Sequence, residues 1–306
     1  MENTKAVKLP LIAKFLRSYL RSNFRGQTRL TFFLARHLRS LQAVPISIED
    51  WPPVYMDLRF GGTHTWLKGS PWASSQWEAA EQNIMSKLVS QGDIVFDIGA
   101  NIGLHTALLS KLVGPNGRVV AFEPNPELIP SLSRTISSLC NAELHQLALS
   151  DLKSQTTLFV PENPEMASLA DWTSERDDVL RAHPVTCEQR RLDDLIDEHV
   201  IPQPDFIKCD AEGAELMIFR GGQQTLNRTD APTILFECSI YTAENFGLKA
   251  TDVLDFLEAL RLARFQFYNV ERDGLSSLRP SDIEHTNVIA IPESKAALAH
   301  ALIVPG

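Results

Sequence analysis

Asp97 ends an apolar run, Ile94-Val95-Phe96, and is followed at once by Gly99, Ala100, Asn101 and Gly103. Glycine turns a backbone sharply and lets it come close to a ligand, because no Cβ intrudes and positive φ costs little. A carboxylate fixed beside such a turn repels phosphate, but it attracts a cationic amino-acid group and accepts hydrogen bonds. Glu123 ends the next apolar run, Val119 to Phe122, in the position where an acid takes both hydroxyls of a ribose. The Gly-x-Gly-x-x-Gly triplet that seats a dinucleotide pyrophosphate does not occur, which disfavours a nicotinamide oxidoreductase. A sulfonium nucleoside, S-adenosylmethionine (SAM), suits two acids at successive strand ends.

A methyl sulfonium carries its own leaving group, so a protein that uses it must bind, align and exclude water. An alcohol acceptor is a poor nucleophile while protonated, and needs a base or a metal near the methyl. Asp210 stands where the run Phe206 to Cys209 ends, in the crevice where open α/β sheets bind ligands. Glu212 and Glu237 belong to the same rim. Two roles compete for this trio: a general base with structural partners, or a hard-cation site for magnesium. The metal-free reading is preferred, because close carboxylates commonly share backbone N–H groups instead. Lys208 falls on the same strand face as Asp210 and reads as an ion-pair partner. His105, just after Gly103, is placed to touch the amino-acid part of SAM or the acceptor hydroxyl, or to make a structural contact.

The elements that must hold these residues alternate strand with helix, which means an α/β fold with a parallel sheet and helices on both faces. The spacing predicts strands over 94–98, 119–122, 143–149, 204–210, 233–236, 265–270 and 287–291, and helices over 75–89 and 251–262. Residues 151–190 break the alternation. Extra strands over 156–160 and 185–190 enclose a polar loop in which Ser168 and Trp172 are candidates for choosing an acceptor. Upstream, Ile12, Leu16 and Leu20, then Leu30, Phe33, Leu34 and Leu38, recur at helical spacing on either side of Gly26. The segment from 45 to 75 is rich in proline and glycine and holds Trp51, Tyr55, His64, Trp66 and Trp72, which read as a plug between appendage and core or as a wall of an acceptor pocket. A basic appendage with its connector, 1–75, thus precedes a catalytic domain, 76–306.

Four blocks carry a resemblance: VFDIGANIGLHTALLS from Val95, AFEPNP from Ala121, IKCDAEGAELMIFRGG from Ile207 and ILFEC from Ile234. In order and spacing they are similar to the signatures of the FkbM-type methyltransferase family, over about residues 78–291. The resemblance implies a class I methyltransferase fold, Rossmann-like and seven-stranded, with the last two strands antiparallel. It implies SAM-dependent O-methylation of a small hydroxylated acceptor, a sugar, glycan or natural product. It carries a cofactor-binding role to Asp97, Gly99, Ala100, Asn101, Gly103, Glu123, Pro124 and Asn125, and sets Ala148 against the adenine.

Composition narrows the rest. A net charge of −9 disfavours nucleic acid, whose phosphates call for a basic surface. Cys140, Cys187, Cys209 and Cys238 form no metal-binding spacing and read as reduced thiols in a cytoplasmic protein. Residues 3–48 nevertheless carry nine Lys or Arg and no acid. This basic segment reads as a helical cap on the acidic remainder, or, through residues 5–40, as a membrane-surface or partner-docking contact. The second alternative allows a different function: a non-catalytic SAM-binding or docking protein anchored by its N-terminus.

Overall fold

The computed structural model describes residues 8–22, 24–48, 50–69, 76–173, 181–279 and 283–303. Trp72 and the first residues of the 5–40 segment, named above, lie outside the described residues. The chain opens with helices α1 (Leu11–Arg21) and α2 (Gln27–His37), a short antiparallel pair β1 (Val44–Ile46) and β2 (Val54–Met56), and helices α3 (Gly61–Lys68) and α4 (Gln76–Leu88). The central alternation follows: β3 (Ile94–Ile98), α5 (Leu104–Val113), β4 (Arg118–Phe122), α6 (Ile129–Ser137) and β5 (Ala142–His145). After it come β6 (Ala148–Leu149), β7 (Ser154–Val160), β8 (His183–Arg190) and α7 (Leu192–Asp197). The remainder is β9 (Phe206–Cys209), α8 (Glu215–Gly221), α9 (Gln223–Leu226), β10 (Thr233–Ser239), α10 (Ile240–Glu244), α11 (Asp252–Glu258), β11 (Gln266–Val270), β12 (Leu275–Ser277), β13 (His285–Ile291) and α12 (Ala296–His300).

Eight strands form the main sheet in the order β12-β11-β13-β10-β9-β3-β4-β5. The run from β10 to β5 is parallel, whereas β13 pairs antiparallel with both β10 and β11. This is the expected class I methyltransferase order, with β12 added as a short edge hairpin strand. Buried strands covered on both faces must be apolar throughout, and β3 shows how the two sides divide. Val95 joins a cluster with Leu108, Leu109 and Val119 under α4 and α5, while Phe96 and Ile98 join Phe122, Ile207 and Phe219 on the other face. The crevice is the strip along the carboxyl ends of β3, β4 and β9, where the turns lead into the helices.

Two details differ from the sequence expectation. The run expected as one strand over 143–149 splits: β5 stops at His145, and β6 leaves the main sheet to pair with β8, which also forms the antiparallel hairpin with β7. In α2, Thr31 and Ala35 are the buried residues, while Leu30 and Phe33 are 38% and 59% exposed. Small side chains let the helix approach its neighbours closely, and the Thr31 hydroxyl is satisfied by donating to the Gln27 carbonyl at 2.9 Å. The bulky residues are thereby turned outward. Of the connector aromatics, Trp51, His64 and Trp66 are buried, as a plug between appendage and core requires.

Candidate functional site

The turn after β3 and the end of β9 meet so closely that one residue type is possible. Gly99 has φ +75°, and a Cβ there would lie 1.8 Å from the Asp210 carbonyl oxygen. Asn101 takes the left-handed conformation next, at φ 54°. Its backbone N–H donates to Glu123 Oε2 at 2.8 Å, and the Asn125 N–H donates to Glu123 Oε1 at 2.8 Å. One carboxylate therefore ties the glycine turn to the turn after β4. Burial pushes the Glu123 carboxyl up to about 7, against those two N–H groups, which favour its charged form.

The pocket beside this junction is lined by Gly99, Asn101, Glu123 and Pro124 on one side and by Asp210 and Glu212 on another. Phe122, Leu147, Ala148, Leu149, Leu158 and Ile218 supply an apolar slot. The insertion closes it: Pro164, Glu165, Ala167, Ser168 and Leu169 all reach the wall. Two expected cofactor residues hold that insertion down. Asn101 Nδ2 donates to the Glu165 carbonyl at 2.9 Å, and Asn125 Nδ2 to the Pro164 carbonyl at 2.8 Å. Ser168 bonds the Glu212 carbonyl at 3.0 Å, whereas Trp172 donates back to Met166 at 3.3 Å and is off the wall. The insertion residues other than Ser168 were missed from sequence, since a loop without periodicity gives no signal beyond its prolines.

Asp97, Ala100, Gly103 and His105 stand behind the wall. Gly103 caps α5 in the left-handed conformation, and Ala100 and Asn125 are buried. Asp97 is fully buried beneath the pocket: Oδ2 accepts from the Thr106 hydroxyl at 2.5 Å, and Oδ1 lies 4.0 Å from Lys208 Nζ. Sequence reasoning gave Asp97 to the ligand; in the structure Thr106 and Lys208 flank it, and its Oδ1 accepts no hydrogen bond among the described residues. Burial raises its carboxyl, while Lys208 and the Thr106 hydroxyl oppose that rise.

Lys208 is the hub of the acidic rim. Burial works to deprotonate it, but Asp210, Asp97 and Glu81 prevail and hold it protonated. Its Nζ is 3.3 Å from Asp210 Oδ2, and the Asp210 side chain is 41% exposed. Glu237 opens onto an adjoining depression, with His285 Nδ1 3.4 Å away. Burial, followed by the neighbouring acids, pushes Glu237 up to about 9 and Glu212 up to about 8. Near neutral pH both hold their protons, and Asp210 lies beside Lys208. Among the described residues, no three of the His, Cys, Asp and Glu side chains are grouped so as to hold a metal ion.

Glu81, on α4, was not singled out from sequence, where an acid on a helix reads as a solvated face. It is 8% exposed; Asn287 donates to its Oε1, and His105 Nε2 lies 3.5 Å from its Oε2. Burial drives His105 down to about 3, so it is a neutral imidazole.

This arrangement suits SAM. The slot accepts a purine, the Glu123 carboxylate has lone pairs left for ribose hydroxyls, and Asn101 Oδ1 and Glu165 Oε1 are buried with no partner among the described residues. Gly99, Asn101, Glu123, Pro124 and Ala148 would hold the nucleoside, leaving Asp210 and Glu212 beside the remainder.

Residues 97–267 match the model of the Methyltransferase FkbM domain. The 2-O-methyltransferase NoeI of Sinorhizobium fredii is 28% identical over 206 residues, covering 63% of this chain and 83% of that protein. The hexuronic acid methyltransferase AglP of Haloferax volcanii is 26% identical, over 46% of this chain and 56% of its own length. The 31-O-demethyl-FK506 methyltransferase FkbM of Streptomyces tacrolimicus is 30% identical, over 42% and 59%. The chain thus spans most of NoeI but less than two thirds of the other two.

Proposed function

This chain belongs to the FkbM methyltransferase family, and from that premise we propose that Asp210 is the group that turns an acceptor hydroxyl into a nucleophile. The activity is SAM-dependent O-methylation. The acceptor is a small hydroxylated molecule, and the names of NoeI, AglP and FkbM support a sugar, a uronic acid, a glycan or a natural product. SAM, when bound, supplies an electrophilic methyl group. Asp210, with Lys208 Nζ 3.3 Å behind it, accepts the proton of the acceptor hydroxyl. Glu212 and Glu237, holding their protons, donate hydrogen bonds at the rim. His105, backed by Glu81, packs the floor. Residues 1–75 serve as the appendage and 76–306 as the methyltransferase domain. The protein works in the cytoplasm, with residues 5–40 as a peripheral contact surface. Among the described residues, no helix is long and apolar enough to cross a membrane.

The observation that carries this reading is the half-exposed Asp210 carboxylate on the pocket wall beside a buried lysine. Isothermal titration and methyl transfer from radiolabelled SAM to a panel of sugars, uronic acids and glycans test it. Asp210→Asn is expected to bind SAM like the parent and to lose at least about a hundredfold in turnover. Glu123→Ala is expected to lose SAM affinity instead. Undiminished turnover in Asp210→Asn removes Asp210 from the role, and a parent that binds SAM but labels nothing in the panel favours the non-catalytic alternative.

A further inference from the structure

Helix α1 is mounted by one face and exposes the other. Ala13, Leu16 and Leu20 are wholly buried in the cluster shared with the main sheet, and Arg21 Nε ties the helix end to the Lys68 carbonyl at 2.6 Å. The opposite face carries Leu11 and Phe15, 84% and 61% exposed, at four-residue spacing with Tyr19. Tyr19 stacks on Phe15 at 6.2 Å and on Phe24 at 6.4 Å, and Phe24 is itself 66% exposed. The result is a preformed apolar ladder in water, the kind of surface that marks an interaction site.

The ladder is embedded in positive charge. Lys8, Lys14, Arg21 and Arg25 surround it at the surface, and no acid occurs between residues 3 and 48. On α2, exposed Phe33 opens onto a cleft of about 780 Å³ lined by Arg29, Arg36 and Arg59 together with Glu127 and Glu162, so the charge there is mixed. Arg59 is held in place by Asp57, while Arg29 and Arg36 make no ion pair among the described residues.

We propose that the face formed by α1 and Phe24 docks on an anionic lipid bilayer. Aromatic and leucine side chains enter the boundary between headgroups and acyl chains, and the flanking Lys and Arg meet lipid phosphates. A second copy of this chain is a poor occupant, because it would press the exposed Lys14, Arg21 and Arg25 against their like-charged counterparts. Nucleic acid would use the cations but leave Leu11 and Phe15 in water. The inference uses none of the residues on the SAM pocket wall and stands or falls apart from the methyl-transfer reading.

Sedimentation of the full-length protein with vesicles tests it. The protein is expected to pellet with mixed phosphatidylglycerol–phosphatidylcholine vesicles, to remain in solution with phosphatidylcholine alone, and to be released by high salt. Phe15→Ser/Phe24→Ser is expected to weaken binding at least about tenfold, and Lys14→Gln/Arg25→Gln about thirtyfold. All four side chains are at or near the surface, so melting temperature and SAM affinity should stay at parental values in both variants. The proposal is overturned by no pelleting with anionic vesicles, by pelleting that survives both double substitutions, or by a dimer in light scattering that Phe15→Ser/Phe24→Ser dissolves. Binding to a single-stranded oligonucleotide that outcompetes the vesicles also overturns it.

Discussion

Glu237 holds its proton for a reason that can be read out as stability. Burial comes first, then repulsion from Asp210, Glu215, Glu212 and Glu81, and together they lift its carboxyl from the ordinary 4.5 to about 9. The folded protein therefore binds this proton more tightly than the unfolded chain does. Its stabilising contribution is complete below pH 4.5 and is lost as pH rises through about 9. Glu237→Gln, neutral throughout, is expected to melt close to the parent at pH 5 and progressively above it at pH 7 and 9. A melting-temperature gap that stays flat with pH would show that Glu237 is already ionised in the fold. The same crowding explains what residue types alone revealed. Asp210, Glu212 and Glu237 could be placed on one rim, because each stands at or shortly after the end of an apolar run. Glu81 and Asn287 could not, since they reach the site from a flanking helix and the last strand, far along the chain from the motifs.

A turn held by two asparagine side chains closes the pocket. Besides its bond to Pro164, Asn125 accepts the Glu127 N–H on Oδ1 at 3.0 Å and is wholly buried. Asn125→Ala removes both bonds, with an expected cost of about 1–3 kcal/mol for buried groups left unpaired. Hydrogen exchange at residues 164–169 should quicken, and SAM affinity should fall with Glu123 untouched. Exchange as slow as in the parent would mean that Asn101 alone holds the turn. Strands β3, β4, β9 and β10 were readable from sequence, because a strand buried on both faces must be a continuous apolar run. The clamp was not, since an asparagine that binds backbone has no periodicity and no fixed distance to its partner. The same limit applies to α2, where periodicity found the helix and Leu34 and Leu38 pack on the core as read, but Leu30 and Phe33 face outward while the small Thr31 and Ala35 are buried.

Charge divides the chain into a basic beginning and an acidic remainder, but packing does not follow that division. Leu16 and Leu20 of the appendage share one cluster with Leu67, Ile84, Val95 and Leu109, so α1 closes the same core that supports the SAM turn. A separable appendage would melt by itself. A joint core requires that damage at α1 be felt at the sheet. Leu20→Ala, at a position with no exposed surface, is expected to destabilise the protein by about 2–5 kcal/mol, and to do so in a single transition. Far-ultraviolet and near-ultraviolet circular dichroism should trace the same shifted curve, and loss of SAM binding on heating should follow it. If the variant instead showed an early, partial transition while SAM binding persisted to the parental temperature, the appendage would be an independent unit. The lipid-docking face would then be carried on a mobile arm and not on a rigid wall of the enzyme. With one core, docking through Phe15 and Phe24 fixes the whole domain relative to the bilayer, so the pocket mouth meets the surface in one orientation.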